Sequence, residues 1–552
     1  MKPLFEYNKS DYLNHHSTKE AIKMRISRIV AFLLSAVLLV SLCACGQSTS
    51  SSNNHEINVA LGSEPNTLDP ALSLTIDARS YLSHVFEGLT VLSENGIAEP
   101  GVAMSWTASN NNTKYTFFIR EDAVWSDGSK VTANDFIYAW LRVLNPETAS
   151  GWASYLYYIK GAEAYNNGKI SAEDVGLTEE NGNLVVQLES PCSFFPEMTA
   201  MQPYYPVKQE IIDRVGDSWA SSSEPLVSNG PYYVQEWKHD EVIRLEKNTS
   251  YWRKNTEQPD AINFFLMSDS SATMNAYESG LLDFTENILT NSEMAQLDTV
   301  QSCDFTITKF LALNMKREIF SDLRVREAIA IAIDRAKLSE IVGGNCQPLL
   351  RWVPRGFINP VSNLDYQDEA EAKIYYNSNS DLEKAKQLLS DAGYPDGNGF
   401  PVLSYLTNTS SSNIQLAEAI KFQLQQLGIT IKIDSYESKI FNEYRYKRDY
   451  DIVAASWASE YPDISSYFYG MQSTDINNYA SFSSEDYDNL YLDALAISDI
   501  SKRFECYHTL EDYAMSSFAF IPLYATSTEF IASNNLSGFY HDSTGCLHFI
   551  AY

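Results

Sequence analysis

Between residues 413 and 458 the chain alternates helix and strand periodicity in a way that few folds accommodate. "NIQLAEAIKFQLQQLG" (413–428) sets Leu416, Ile420, Leu424 and Leu427 on one helical face and stops at Gly428. "ITIKIDSY" (429–436) then alternates with period two, and "YDIVAASWA" (450–458) is an apolar run of strand length. Upstream, "FSDLRVREAIAIAIDRAKLSEIVGG" (320–344) predicts a helix capped by Ser321 or Asp322. Val325, Ile329 and Ile333 form its apolar face, and Gly343 and Gly344 end it. "SDLEKAKQLLSDAGY" (380–394) predicts a shorter capped helix ending at Gly393. Helix–strand alternation of this kind is the signature of an α/β fold.

The apolar run at 450–458 has an awkward ending. Two residues beyond it stands Glu460, and a carboxylate at the mouth of a buried strand is costly unless a partner compensates it.

At 552 residues the chain exceeds one ordinary core, which predicts two or three lobes. The segment before residue 305 has a different texture, with short strands and turns. "EINVALG" (56–62) reads as a strand, and "YTFFIREDAVWSDGSKVTANDFIYAWLRVL" (115–144) reads as strand, turn and a helix capped near Thr132. "NLVVQLESP", "SNGPYYVQEW" and "VIRLEKN" continue the pattern, and "FAFIPLYATSTEFIASNN" (518–535) returns to it after the α/β portion.

Chemistry is scarce. There is no GxSxG, HExxH, Walker A or strand-linked GxGxxG, so catalysis has no local support. His84, His239, His508, His541 and His548 stand apart and read as surface or core residues. Beyond the first 55 residues Cys192, Cys303, Cys346, Cys506 and Cys546 lack any CxxC. One disulfide at most is conceivable, and no zinc spacing exists. "YPDGNGFP" (394–401) lacks the carboxylates of a calcium loop and reads as a turn. A formal charge of −31 with no basic cluster excludes nucleic acid as a partner.

The N-terminus reads as an address. "MRISRIVAFLLSAVLLVSLCAC" (24–45) has Arg25 and Arg28, an apolar run from Ile29 to Leu42 and small residues after it, the pattern of a secretory signal. Met24 looks like the true start, with residues 1–23 a non-native extension. "LCAC" resembles a lipoprotein signal peptidase box, which implies that Cys45 becomes the lipid-bearing first residue. A Ser/Asn-rich tether at 45–55 follows.

Seven segments in order carry a resemblance: "GSEPNTLDP" (62–70), "WSDGSKVTANDFIYAWLRVLNPETAS" (125–150), "SNGPYYVQEW" (228–237), "NTSYW" (248–252), "FSDLRVREAIAIAIDR" (320–335), "AKQLLSDAGY" (385–394) and "SWASEYPDISSYF" (456–468). Together they closely resemble the extracytoplasmic oligopeptide- and dipeptide-binding proteins of ABC importers, family 5 of the solute-binding proteins. The resemblance implies a two-lobed, periplasmic-binding-protein-like α/β fold of type II with an extra domain inserted in the first lobe. Carried onto this chain, lobe I is 56–305 plus 524–552, with the insert at about 80–205, and lobe II is 306–523. It further implies a monomeric, non-enzymatic protein without cofactor, anchored outside the cytoplasm by lipid on Cys45. Such a protein takes a peptide from solution to a membrane permease.

By the same resemblance Glu460 matches an Asp that binds the peptide's α-ammonium, with Tyr461 beside it. Trp457 lines the ligand, and backbone groups of Ser456 and Ala458 pair with it. Asn229 and Gly230 face it from the other lobe, Glu64 lies nearby, and Arg445 matches a residue that serves the peptide carboxylate. A second arginine of that kind is replaced here by Ala454. The residues alone leave plainer readings open: Glu460 as an ion-pair partner or helix cap, Trp457 as core, Arg445 as part of a solvated face in "EYRYKRDYD". Other ligands within the family are a dipeptide, nickel chelate, haem or other small solute. A peptide sensor or adhesin uncoupled from transport is the alternative outside import.

Overall fold

The computed structural model describes residues 55–549 except Ser63, 94–95, 222–225, 254–257, 287–299, Gly344 and Ser543. The expected extension, signal peptide, Cys45 and tether through Asn54 lie outside the described residues.

One large curled sheet organises the chain. Its strands are β1 (Glu56–Ala60), β2 (Tyr232–Lys238), β3 (Val242–Lys247), β4 (Ala261–Phe265), β5 (Phe284–Thr285), β6 (Gln301–Leu313), β7 (Leu403–Asn408), β8 (Ile431–Tyr436), β9 (Ile452–Trp457) and β10 (Phe520–Ala532). They lie in the order β8-β7-β9-β6-β10-β5-β1-β4-β3-β2, and Cys346–Pro348 adds an eleventh strand against β10. β7 runs parallel to β8 and β9, while β6 runs antiparallel to both β9 and β10. The β6–β10 ladder shifts register between Lys309 and Phe310, opposite Pro522, which has no N–H to give a ladder.

A second, four-stranded antiparallel sheet is built from Ala103–Ser109, Lys114–Ile119, Asn183–Gln187 and Leu177–Glu180. The helix Ala133–Leu144 buries Phe136, Ala139, Trp140 and Val143 in this region. It starts where expected, with the Asp135 carboxylate accepting from the Thr132 N–H at 2.7 Å. This region also docks on residues 461–503: Phe194 stacks on Tyr461 at 5.5 Å, and Ser193 N–H donates to Leu495 O at 3.1 Å. Buried Arg503 bonds the Ser193 hydroxyl and lies 3.4 Å from the Asp463 carboxylate.

The α/β alternation is present, with one correction. The helix expected over 320–344 is two, Leu323–Ile331 and Arg335–Val342. Asp322 caps the first by accepting from the Arg324 N–H. Asp334 ends that run because its carboxylate caps a new helix, accepting from the Lys337 N–H at 3.0 Å. The conceivable disulfide is not formed: Cys192, Cys303, Cys346, Cys506 and Cys546 are all free.

His84 is wholly buried against the C-terminal segment. Its Nδ1 lies 2.6 Å from Ser80 O, and its Nε2 accepts from the Phe549 N–H at 3.1 Å, the pairing of a neutral ring. Burial pushes its pKa down to about 3, against the opposing pull of the Ser80 carbonyl. The unfolded chain therefore binds the extra proton below about pH 6.5, so the stabilisation is full above that pH and is lost as pH falls toward 3. The contribution is read as the difference in calorimetric melting midpoint between the wild type and His84→Gln, which keeps a donor and an acceptor; as pH falls from 7 to 4.5 the midpoint of the wild type is expected to drop relative to that of the variant.

Candidate functional site

β7 and β9 are parallel, so their carboxyl ends meet at one edge of the sheet, the edge at which open α/β sheets bind ligands. Glu460 stands just past the end of β9. It is exposed, and its Oε2 accepts from the Tyr155 hydroxyl at 3.1 Å and from the Tyr469 hydroxyl. Burial and then the Glu460 charge push both phenols far above their usual range, so both remain donors. Oε1 takes no hydrogen bond among the described residues. The carboxylate is thus oriented by two phenols and keeps an anionic oxygen for a further donor.

The backbone beside it is also available. β7 pairs with β9 only at Ile452 and Val453, so Ala454 to Trp457 have no ladder partner on that side. On the other side the pairing with β6 continues through Trp457 opposite Thr308. An unpaired strand edge is a template for an extended chain.

Strand alternation decides which side chains face this opening. Val453, Ala455 and Trp457 are buried, while Ala454 is half-buried and Ser456 exposed on the opposite face. Trp457 therefore points into the core and does not lay its ring along a cleft. Its Nε1 donates to Ser466 O at 2.7 Å, and its ring packs edge-on against Tyr469 and directly against Gly470, where a methyl group would collide with it. Ala458 is half-buried. Tyr461 is buried between Phe194 and the hydroxyls of Ser465 and Tyr491.

The residues expected from the first lobe are structural in this arrangement. Asn229 is buried and pairs with the backbone of Glu87, accepting from its N–H at 3.1 Å and donating to its carbonyl at 2.9 Å. Gly230 N–H donates to Val85 O at 2.9 Å. A Cβ at Gly230 would stand 2.5 Å from the Val85 carbonyl carbon. Glu64 binds the β2–β3 hairpin, accepting from Trp237 Nε1 at 2.7 Å, His239 Nδ1 at 2.6 Å and the Asp240 N–H at 3.1 Å. Although burial opposes it, these bonds hold the Glu64 carboxyl below its usual range. Arg445 lies over Tyr479 at 4.8 Å, near Phe441 and Tyr446, with its Nε buried and unbonded.

One cluster has metal-ligand chemistry: Asp542, Cys546 and His548, all buried, with donor atoms within 4.8 Å of one another. The Asp542 carboxylate already accepts from Thr544, the Cys546 N–H and, at 3.0 Å, His548 Nε2, which accounts for the cluster as an internal ion pair.

Comparison with known proteins follows this geometry. A family profile for bacterial extracellular solute-binding proteins, family 5, matches residues 98–479. The chain belongs to that family. It is 30% identical to the dipeptide-binding protein DppE of Bacillus subtilis, over 87% of this chain and 89% of that one. Among solved structures it resembles the murein tripeptide-binding protein MppA in its unliganded open form, with a TM-score of 0.78, 27% identity, and 91% and 98% of the two chains covered. It also resembles Haemophilus influenzae OppA in complex with the peptide RPPGFSPFR, with a TM-score of 0.66, 26% identity, and 91% and 99% covered. The fold is the periplasmic-binding-protein-like α/β fold of that family, whose members bind solutes and are not enzymes. Among the described residues no helix is long and apolar enough to cross a membrane.

Sequence reasoning located Glu460 but missed Tyr155 and Tyr469, which orient it, because Tyr155 is 305 residues away. Gly230→Ala is expected to cost about 1–3 kcal/mol through overpacking against the Val85 backbone, measured by urea unfolding.

Proposed function

We propose that this protein captures peptides between two lobes and hands them to the membrane permease of an ABC importer. The observation that carries this reading is the free edge of β9 running to a carboxylate with an unbonded oxygen. An extended peptide offers main-chain donors and acceptors at strand spacing whatever its side chains, so the edge from Ala454 to Trp457 grips it without reading sequence. Its α-ammonium, charged at neutral pH, then meets Glu460. The names of the relatives, which bind dipeptides, tripeptides and oligopeptides, support the same ligand class.

In this reading lobe I is 56–305 with 524–552, the insert is about 80–205, and lobe II is 306–523. Ligand enclosure proceeds by hinge closure about β6 and β10. Tyr155 is the group that would track the ammonium as the lobes close, since its hydroxyl already shares Oε2.

Calorimetry with tri-alanine tests the site. Glu460→Gln is expected to weaken binding about 10- to 100-fold, the worth of one charge-assisted hydrogen bond. Trp457→Phe is expected to lower the melting temperature while leaving affinity within about twofold, because its indole is spent inside the core. Unchanged affinity in Glu460→Gln would remove the assignment. Native mass spectrometry of the purified protein is expected to show a ladder of peptide adducts, and a single non-peptide adduct would overturn the ligand class.

Lipid anchoring by Cys45 rests on the "LCAC" box and the tether after it. Cys45→Ala is expected to move the protein from the membrane to the soluble fraction on cell fractionation.

A further inference from the structure

Lys309 lies on β6 opposite Ser456 of β9 and opposite Tyr524 of β10. Opposed residues in an antiparallel pair share a face, so Lys309 stands on the open face with Ser456 and, one pair along, Ala454 opposite Leu311. Its Nζ is 3.4 Å from Ser456 Oγ and donates to Asn413 Oδ1 at 2.9 Å. Asn413 belongs to the helix Ser411–Gln425 that follows β7. The lysine side chain therefore crosses over β9 from the β6 side, and its ammonium arrives beside the strand's free edge.

Two features mark this ammonium. Its hydrogen-bond partners are both neutral, and no carboxylate lies within 4.0 Å of it among the described residues. Burial alone pushes its pKa down to about 8, with no neighbouring charge to offset it. A partly buried cation whose cost is left uncompensated in the unliganded protein is a site for an anion. Ala454, small and half-buried on the same face, leaves room for that anion.

We infer that Lys309, held by Asn413 and Ser456, receives the C-terminal carboxylate of a short peptide whose amine is held by Glu460. This rests on the peptide-binding reading above and deepens it. Ser456 and Glu460 are four positions apart, a span of at most about 13 Å at 3.3 Å per residue, which matches a peptide of about three or four residues. The pair of charges sets direction as well as length: amine past the end of β9, carboxylate back along the strand.

The test compares tri-alanine with tri-alanine amide by calorimetry on the intact protein, on Lys309→Met and on Lys309→Arg. The wild-type protein is expected to prefer the free acid by about 10- to 100-fold, the range of a charge-assisted hydrogen bond. Lys309→Met is expected to bind acid and amide alike, at the amide's affinity, and Lys309→Arg to restore most of the preference. Melting temperatures of both variants close to that of the wild type show that the fold is retained. A preference for the acid that survives in Lys309→Met, an equal loss for acid and amide, or no preference in the wild type would overturn the role of Lys309. In each of those cases peptide binding itself still stands. Failure of the wild type to bind either compound, together with no peptide ladder in native mass spectrometry, would instead strike the peptide reading and this inference with it.

Discussion

The pairing of β6 with β10 is the constraint on which the rest of the structure depends. These two thirteen-residue strands sit in the middle of the large sheet, with β9, β7 and β8 on one side and β5, β1, β4, β3 and β2 on the other. Their ladder joins residues more than 200 positions apart, from Gln301 with Phe530 to Ala312 with Phe520. No local preference selects such a register. It is selected because both faces are packed here, Phe310 and Ala312 on one and Leu311 and Leu313 on the other, and a slip of one residue would exchange the two sets between surroundings shaped for the other. The ladder shifts register twice, between Ser302 and Thr306 and again between Lys309 and Phe310, the latter where Pro522 cannot donate to it.

That same register builds the candidate site. β6 sets the phase of β9, so Ser456 falls opposite Lys309 and Ala454 opposite Leu311. Trp457 falls on the buried face, where its indole N–H finds the Ser466 carbonyl. The site is then an edge and a face: backbone of Ala454 to Trp457 left without ladder partners where β7 and β9 stop pairing, with the Glu460 carboxylate beyond one end. A chain with a net charge of −31 thus keeps a partly buried ammonium at this spot with no carboxylate within 4.0 Å among the described residues.

Legibility in the sequence followed how local each determinant is. Glu460 stood out because a charge beside an apolar strand is costly, and the structure supplies the compensation in Tyr155 and Tyr469. Asn229 and Gly230 were legible as a turn but not as packing residues, since their partners, Glu87 and Val85, come from a distant helix end. The helix expected over 320–344 was read from its apolar face, which continues through the break. The Asp334 cap that divides it is a hydrogen-bond choice that periodicity does not register.

By itself the sequence determined the α/β class, the family and the position of the acidic residue at the end of β9. These depend on periodicity, caps and short motifs, interactions within a few residues. Only the tertiary structure decided that Trp457 is core, that Glu64 serves a hairpin, that Tyr155 reaches Glu460 and that Lys309 crosses β9 toward Asn413. Those facts depend on strand phase and long-range pairing, which are set by burial summed over the whole sheet and by no single segment.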